Sequence, residues 1–189
     1  MFNKILAYIF AICLLGSSAL HAKDNATVKF PKTLKVGETE LTLKGVGERS
    51  KFFVEVYLGG LYSGEKISDA KMLVKSNEAM AIRLLITSNL ITSEKMAAAT
   101  REGFEKSTDG NVASIKYQVD KFIEVFKESI EKNDAYNIIY LQEEGVSVYK
   151  NDQLKIKIKG LEFKEALFGI WLGDDPVDDD LKLGMLGEG

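Results

Sequence analysis

The chain has 189 residues, 25 of them basic and 28 acidic, with a single cysteine, Cys13, and a single histidine, His21. A near-neutral balance without a basic block argues against a nucleic acid partner, since nothing is available to neutralise a run of phosphates. Cys13 and His21 both fall in the first 22 residues. A product lacking them has no disulfide, no thiolate nucleophile, no Ser-His or Cys-His dyad and no zinc site built on His or Cys.

Those first residues have the layout of a secretory signal peptide. Lys4 precedes an apolar run from Ile5 to Leu15, and small residues follow through Ser17, Ser18 and Ala19 to Ala22. Cleavage is expected after Ala19 or Ala22. The run is too short for a stable membrane anchor. The expected product is exported, periplasmic or secreted, and begins near residue 23. Pro31 and Pro176 are the only prolines and no low-complexity linker divides the remainder, so residues 23–189 read as one domain.

In chain order, Leu41-Thr42-Leu43-Lys44 alternates apolar and polar, the period of a half-buried strand. The stretch "GVGERSKFFVEVYLGGLY", residues 45–62, continues it and reads as two strands joined by a turn at Ser50-Lys51. Simple alternation places Arg49 on the face of Leu41, Leu43, Gly45 and Gly47. On the second strand Phe52, Val54, Val56 and Leu58 form the apolar face, which puts Glu55 and Tyr57 on the other. Residues 80–87 are a further strand. Thr92 or Ser93 caps a helix over "SEKMAAATREGFEKS", and Val119, Phe122, Ile123, Phe126 and Ile130 form a helical stripe over 117–130. Residues 135–141 are another strand. Val146-Ser147-Val148 and Leu154 to Ile158 make a hairpin around Asn151-Asp152. The stripe Phe163, Ala166, Leu167, Ile170 and Trp171 is a helix closed by Gly173, and Asp178 caps a last short one. This order predicts an α+β domain with helices packed on a mostly antiparallel sheet.

Arg49 is the residue that needs a partner. A buried guanidinium stays charged and must find an anion or several acceptors. The candidates are Glu55 within the chain, or the carboxylate or enolate of a ligand. Gly45 and Gly47 leave volume on the same face, suited to a bulge or to something other than a side chain. The acidic run Asp174, Asp175, Asp178, Asp179 and Asp180 lacks the alternating spacing and glycine of a calcium loop, and reads as helix capping and dipole stabilisation. No metal or cofactor is expected. Lys155, Lys157 and Lys159 read as a solvated strand face, with contact to a membrane surface or partner as the alternative.

Two segments carry a resemblance. "GVGERSKFFVEVYLGGLY" resembles the first hairpin of the chalcone isomerase fold, and "FKEALFGIWLGDDPVDDDLKLGMLG" resembles its C-terminal helix, loop and helix. The likeness spans roughly residues 40–187 and is nearest to exported bacterial chalcone isomerase-like proteins. It implies an open-faced sandwich, a large antiparallel sheet covered by a layer of helices with a ligand cleft between. In the enzymes of that family an arginine stabilises a developing enolate, helped by threonine and tyrosine hydroxyls. Carried over, the arginine is Arg49 and the hydroxyl of the neighbouring strand is Tyr57. The hydroxyl of the C-terminal helix falls at Ile170, and the helix bearing the enzymes' tyrosine and asparagine falls at Thr92 to Phe104, which has neither. The resemblance therefore points to a non-catalytic binder of a small acidic apolar ligand, such as a fatty acid, held by Arg49 and Tyr57. An intramolecular lyase of the chalcone isomerase type is the alternative, and a protein-interaction module with a collapsed cleft is the second.

Overall fold

The computed structural model describes residues 29–64 and 69–189. The leader, its cleavage points, Cys13 and His21 lie outside the described residues. Seven strands form one antiparallel sheet in sequence order: β1 (Thr33–Val36), β2 (Thr39–Lys51), β3 (Val54–Ser63), β4 (Met80–Ile86), β5 (Ala135–Leu141), β6 (Gly145–Lys150) and β7 (Gln153–Ile158). Five α-helices lying wholly among the described residues accompany it: α1 (Ala70–Lys75), α2 (Ser93–Ser107), α3 (Lys116–Ile123), α4 (Leu161–Leu172) and α5 (Asp179–Leu186). The fold is the expected α+β arrangement, an antiparallel sheet covered on one face by helices.

The helix termini follow local chemistry. The Thr92 hydroxyl accepts from the Lys95 amide at the start of α2, and Asp178 accepts from the Leu181 amide at the start of α5. Helix α3 stops at Ile123 and a 3₁₀ turn, Glu124–Phe126, carries Phe126 into the core, so the stripe read over 117–130 is helical only in its first half. Helix α1, unmarked by any strong period, is capped at its end by a distant side chain. Fully buried Lys164 of α4 donates to the carbonyls of Leu73, Val74 and Ser76 at 3.0, 2.7 and 2.6 Å. These are among the carbonyls a helix terminus leaves without a partner.

The main core lies between the sheet and the helices. Phe104 of α2 stacks on Phe163 of α4 at 5.7 Å and meets Phe122 of α3 edge-on at 6.0 Å. Ile82, Leu84 and Ile86 of β4 face them from the sheet. A smaller cluster of Leu41, Tyr62, Ala81 and Ile139 occupies the opposite face.

Two irregularities in the β2–β3 pair decide where the candidate residues point. The register slips between Leu43, opposite Tyr62, and Gly45, opposite Leu61. Tyr62 belongs to the outer cluster and Leu61 to the main core. One extra residue, Lys44, thus turns the strand over, as a bulge does when it breaks the two-residue period. Arg49, Gly47 and Gly45 face the helices whereas Leu41 and Leu43 face away, which corrects the single face expected from alternation. The second slip falls at Arg49/Ser50, where Arg49 opposes Tyr57 and Ser50 opposes Glu55. Val56 is the extra residue there and packs into the main core together with Tyr57.

The turn itself is not at Ser50-Lys51. Lys51 pairs with Val54, and the two linking residues, Phe52 and Phe53, have φ of 52° and 62°. They are 86% and 107% exposed. The apolar face read through Phe52, Val54, Val56 and Leu58 therefore does not exist as a face. Tyr57 lies on the helix-covered side and is buried.

Candidate functional site

Arg49 on β2 and Tyr57 on β3 are direct cross-strand neighbours, which sets their Cβ atoms about 5 Å apart on one face of the sheet. The half-buried Arg49 donates from Nη1 to the carbonyl of Val177 at 2.5 Å. The buried Tyr57 hydroxyl accepts from Trp171 Nε1 at 3.1 Å. Burial pushes the Tyr57 hydroxyl above its ordinary value, against a pull from the Arg49 charge and the Trp171 hydrogen bond. The phenol is therefore a neutral donor at neutral pH beside a fixed cation. This pairing is suited to a carboxylate or an enolate oxygen.

Glu55 does not hold Arg49. No ion pair between Arg49 and a carboxylate forms among the described residues, and the second bulge sets Glu55 opposite Ser50. The grip on the guanidinium is a neutral carbonyl.

That carbonyl belongs to the segment joining α4 to α5, and the acidic run is what secures it. Asp174 pairs with Lys71 at 2.5 Å and Asp175 with Lys106 at 3.6 Å. The Val177 amide donates to the Ile170 carbonyl at 2.8 Å, and Lys182 donates to the Gly173 carbonyl at 2.7 Å. Asp178 caps α5, as expected, and its charge opposes ionisation of Tyr57. Among the described residues no group of three or more His, Cys, Asp or Glu is placed to hold a metal ion.

Gly45 and Gly47 do not leave room for a ligand. A Cβ on Gly47 would stand 2.2 Å from the Leu181 carbonyl oxygen, and one on Gly45 would stand 2.2 Å from the Gly184 carbonyl oxygen. Helix α5 lies directly on this part of β2, backbone against backbone. Ile170, where the resemblance placed a hydroxyl, is packed on Gly103 of α2. Trp171, read from the sequence only as core, is the residue of α4 that reaches the site. Its neighbour Tyr57 could have flagged it, since a buried indole N–H needs an acceptor. Two shallow hollows on the described surface lie away from Arg49, one bounded by Val125, Glu128 and Lys155, the other by Tyr117, Lys121 and Lys159.

The order of elements, the Arg49–Tyr57 pair and the closing helix can now be set against known proteins. The model of the chalcone isomerase-like family matches residues 22–187. The chain belongs to the chalcone isomerase-like family. No curated protein matches the sequence. Among solved structures, a fatty-acid binding protein of Arabidopsis thaliana is similar at 18% identity with a TM-score of 0.63, over 83% of this chain and 90% of that one. At that identity the likeness establishes the fold. Within this chalcone isomerase-like domain, both residues named from the resemblance stand on the helix-covered face, and the space between them and α5 is filled by Trp171 and the 173–178 segment.

Proposed function

We propose that this chalcone isomerase-like chain is a non-catalytic binding protein for a small acidic apolar ligand such as a fatty acid, acting after export to the periplasm or the medium. One observation carries the reading: Arg49 and Tyr57 oppose each other on the helix-covered face, and among the described residues the guanidinium is held by the neutral Val177 carbonyl, beside the Tyr57 hydroxyl, and by no carboxylate. A ligand carboxylate is a stronger acceptor than a carbonyl and would take that place, with Tyr57 as second donor. The aliphatic tail would then run into the apolar layer between sheet and helices, which requires α5 and the 173–178 segment to move outward. The similar fold of a fatty-acid binding protein agrees with this reading. Export is supported by the layout of residues 1–22.

The test is titration of the chain from residue 23 with a fluorescent fatty acid, followed by competition with unlabelled saturated fatty acids of different length. Arg49→Met is expected to weaken binding at least tenfold and Tyr57→Phe by less. Failure of the parent chain to bind, or equal binding by Arg49→Met, overturns the reading. Turnover of a simple chalcone that Arg49→Ala abolishes would instead establish enzyme chemistry.

A second reading has its own observation. The close seat of α5 on Gly45 and Gly47 fills the cleft, as in a protein-interaction module that has kept the fold and lost the ligand. Absence of any fatty-acid binding together with a retained stable fold is its expected signature.

A further inference from the structure

The tip of the β2–β3 hairpin is built against its own backbone. Phe52 and Phe53 both adopt positive φ, 52° and 62°, in a two-residue link between paired Lys51 and Val54. Positive φ at both positions is the requirement of a type I′ turn, which ordinarily selects Asn-Gly or Asp-Gly and disfavours bulky side chains. The chain contains its own control. The β6–β7 hairpin links Lys150 to Gln153 through Asn151 and Asp152, with φ of 48° and 64°. The same turn is made there with the residues that the backbone favours. Folding alone therefore does not account for phenylalanine at the first tip.

Nor does packing account for it. Phe52 and Phe53 are 86% and 107% exposed, and Val54 beside them is 40% exposed. The next segment at this end of the sheet follows β4, where the Thr87 amide donates to the Val56 carbonyl, and it exposes Leu90 as well. The tip is convex and narrow, and its rings project from the end of a ten-residue strand. A rigid protein surface would need a matching socket for such a tip, whereas a bilayer accepts it directly. Lys51 sits behind the rings with its Nζ 5.7 Å from the Phe52 ring centre. An aromatic pair with a cation one residue behind it matches the depth profile of a bilayer, acyl boundary first and anionic headgroups next.

We propose that the Phe52-Phe53 tip inserts into the surface of a lipid bilayer, with Lys51 at the headgroup level. This goes beyond the ligand reading and stands without it. Arg49 lies three residues from Phe52, about 10 Å along an extended strand, so docking would bring the covered face of β2 close to the lipid. Reversible attachment by a two-ring tip differs from anchoring, and among the described residues no helix is long and apolar enough to cross a membrane.

The experiment is flotation of the chain from residue 23, which contains every described element, with vesicles of phosphatidylcholine and phosphatidylglycerol at a ratio of about three to one. The decisive variant is Phe52→Asn with Phe53→Gly, which suits the turn better than the parent pair and so keeps the fold. The parent is expected to float with the vesicles and the double variant to lose at least tenfold in partitioning. A Phe53→Trp reporter should shift its emission to the blue on vesicle addition and be quenched by brominated acyl chains. Parent protein that stays with the soluble fraction overturns the proposal, as does a folded double variant that partitions like the parent. Tip-dependent self-association without vesicle binding also overturns it.

Discussion

Replacing Gly47 with alanine distinguishes the two accounts of the glycine pair on β2. If the glycines keep space for a ligand, a methyl group enters an open cleft and the ligand-free protein tolerates it. If they seat α5, the methyl collides with the backbone. The structure favours collision: the added Cβ would lie 2.2 Å from the Leu181 carbonyl oxygen and 2.9 Å from both its carbonyl carbon and its Cα. Ordinary contact begins near 3.4 Å, so α5 must lift by roughly 1 Å, and no side-chain rotation relieves it. Leu181 and Met185, both fully buried, hold α5 on the sheet and would each lose part of their packing. Full burial of one such side chain contributes about 1.5–3 kcal/mol. Partial loss of two, with residual strain, gives an expected destabilisation of about 2–4 kcal/mol. The assay is urea unfolding followed by Trp171 fluorescence and far-UV circular dichroism, with the parent m-value as a check on two-state behaviour. Gly37→Ala, at a turn where nothing lies within 4 Å but φ is 60°, is the comparison, with a smaller loss of about 1 kcal/mol from backbone strain alone. A Gly47→Ala loss below about 0.5 kcal/mol would refute the claim that α5 rests on this glycine.

Arg49→Met should change ligand-free stability by no more than about 1 kcal/mol, because it removes a half-buried charge and frees a carbonyl rather than stranding a carboxylate; a loss of about 3 kcal/mol rescued by Glu55→Gln would restore the internal ion pair. Lys164→Met should destabilise by about 2 kcal/mol or more in denaturant melts, since the Val74 and Ser76 carbonyls at the end of α1 lose this donor and the Leu73 carbonyl keeps only the Ser76 hydroxyl. Burial pushes the Lys164 ammonium from 10.5 down to about 8. Between those values the unfolded chain binds more protons than the folded one, so this group makes stability rise with pH from about 8 upward. That rise, read from parent melts between pH 7.5 and 9.5, should be missing in Lys164→Met. The turn variant Phe52→Asn with Phe53→Gly should raise stability by about 1–2 kcal/mol through relief of two left-handed residues, measured by thermal and urea unfolding; a loss would mean that the rings pack in the folded state.

Much of the architecture was legible from periodicity and caps. Residues 135–141 were read to the residue, Thr92 and Asp178 cap the helices they precede, and Asn151-Asp152 turns the hairpin it joins. That Arg49 and Tyr57 are the candidates to examine was legible through the resemblance of the 45–62 stretch. Their facing was not. A strand pattern has a period of two, and a bulge shifts its phase by one without leaving a mark in hydrophobicity. Lys44 and Val56 are such residues, and reading straight through them put Arg49 on the face of Leu41 and separated it from Tyr57. The Phe52-Phe53 turn misled for a related reason, since aromatic residues are strand formers and nothing in their chemistry announces a positive φ. Helix α1 escaped notice because its six residues carry too little period, and its C-terminal donor lies about ninety positions away in Lys164.

The two bulges also bear on how the Arg49–Tyr57 pair can act. Each bulge turns side chains that alternation would send outward toward α4 and α5, so the pair is assembled by irregularity in the strands and closed by the C-terminal segment. Closure is local: Val177 contributes one carbonyl, Trp171 one indole N–H, and the acids around them are tied to Lys71 and Lys106 at exposed, screened positions. Surface pairs of that kind contribute little, typically below about 1 kcal/mol each. The tight contact is between α5 and the two glycines. On the proposed reading, a ligand arriving at Arg49 would compete first with the Val177 carbonyl under weak surface ties, and only the passage of its tail would disturb the helix. Short acidic ligands should therefore engage Arg49 with little rearrangement, and affinity should increase with chain length only where α5 can lift from Gly45 and Gly47.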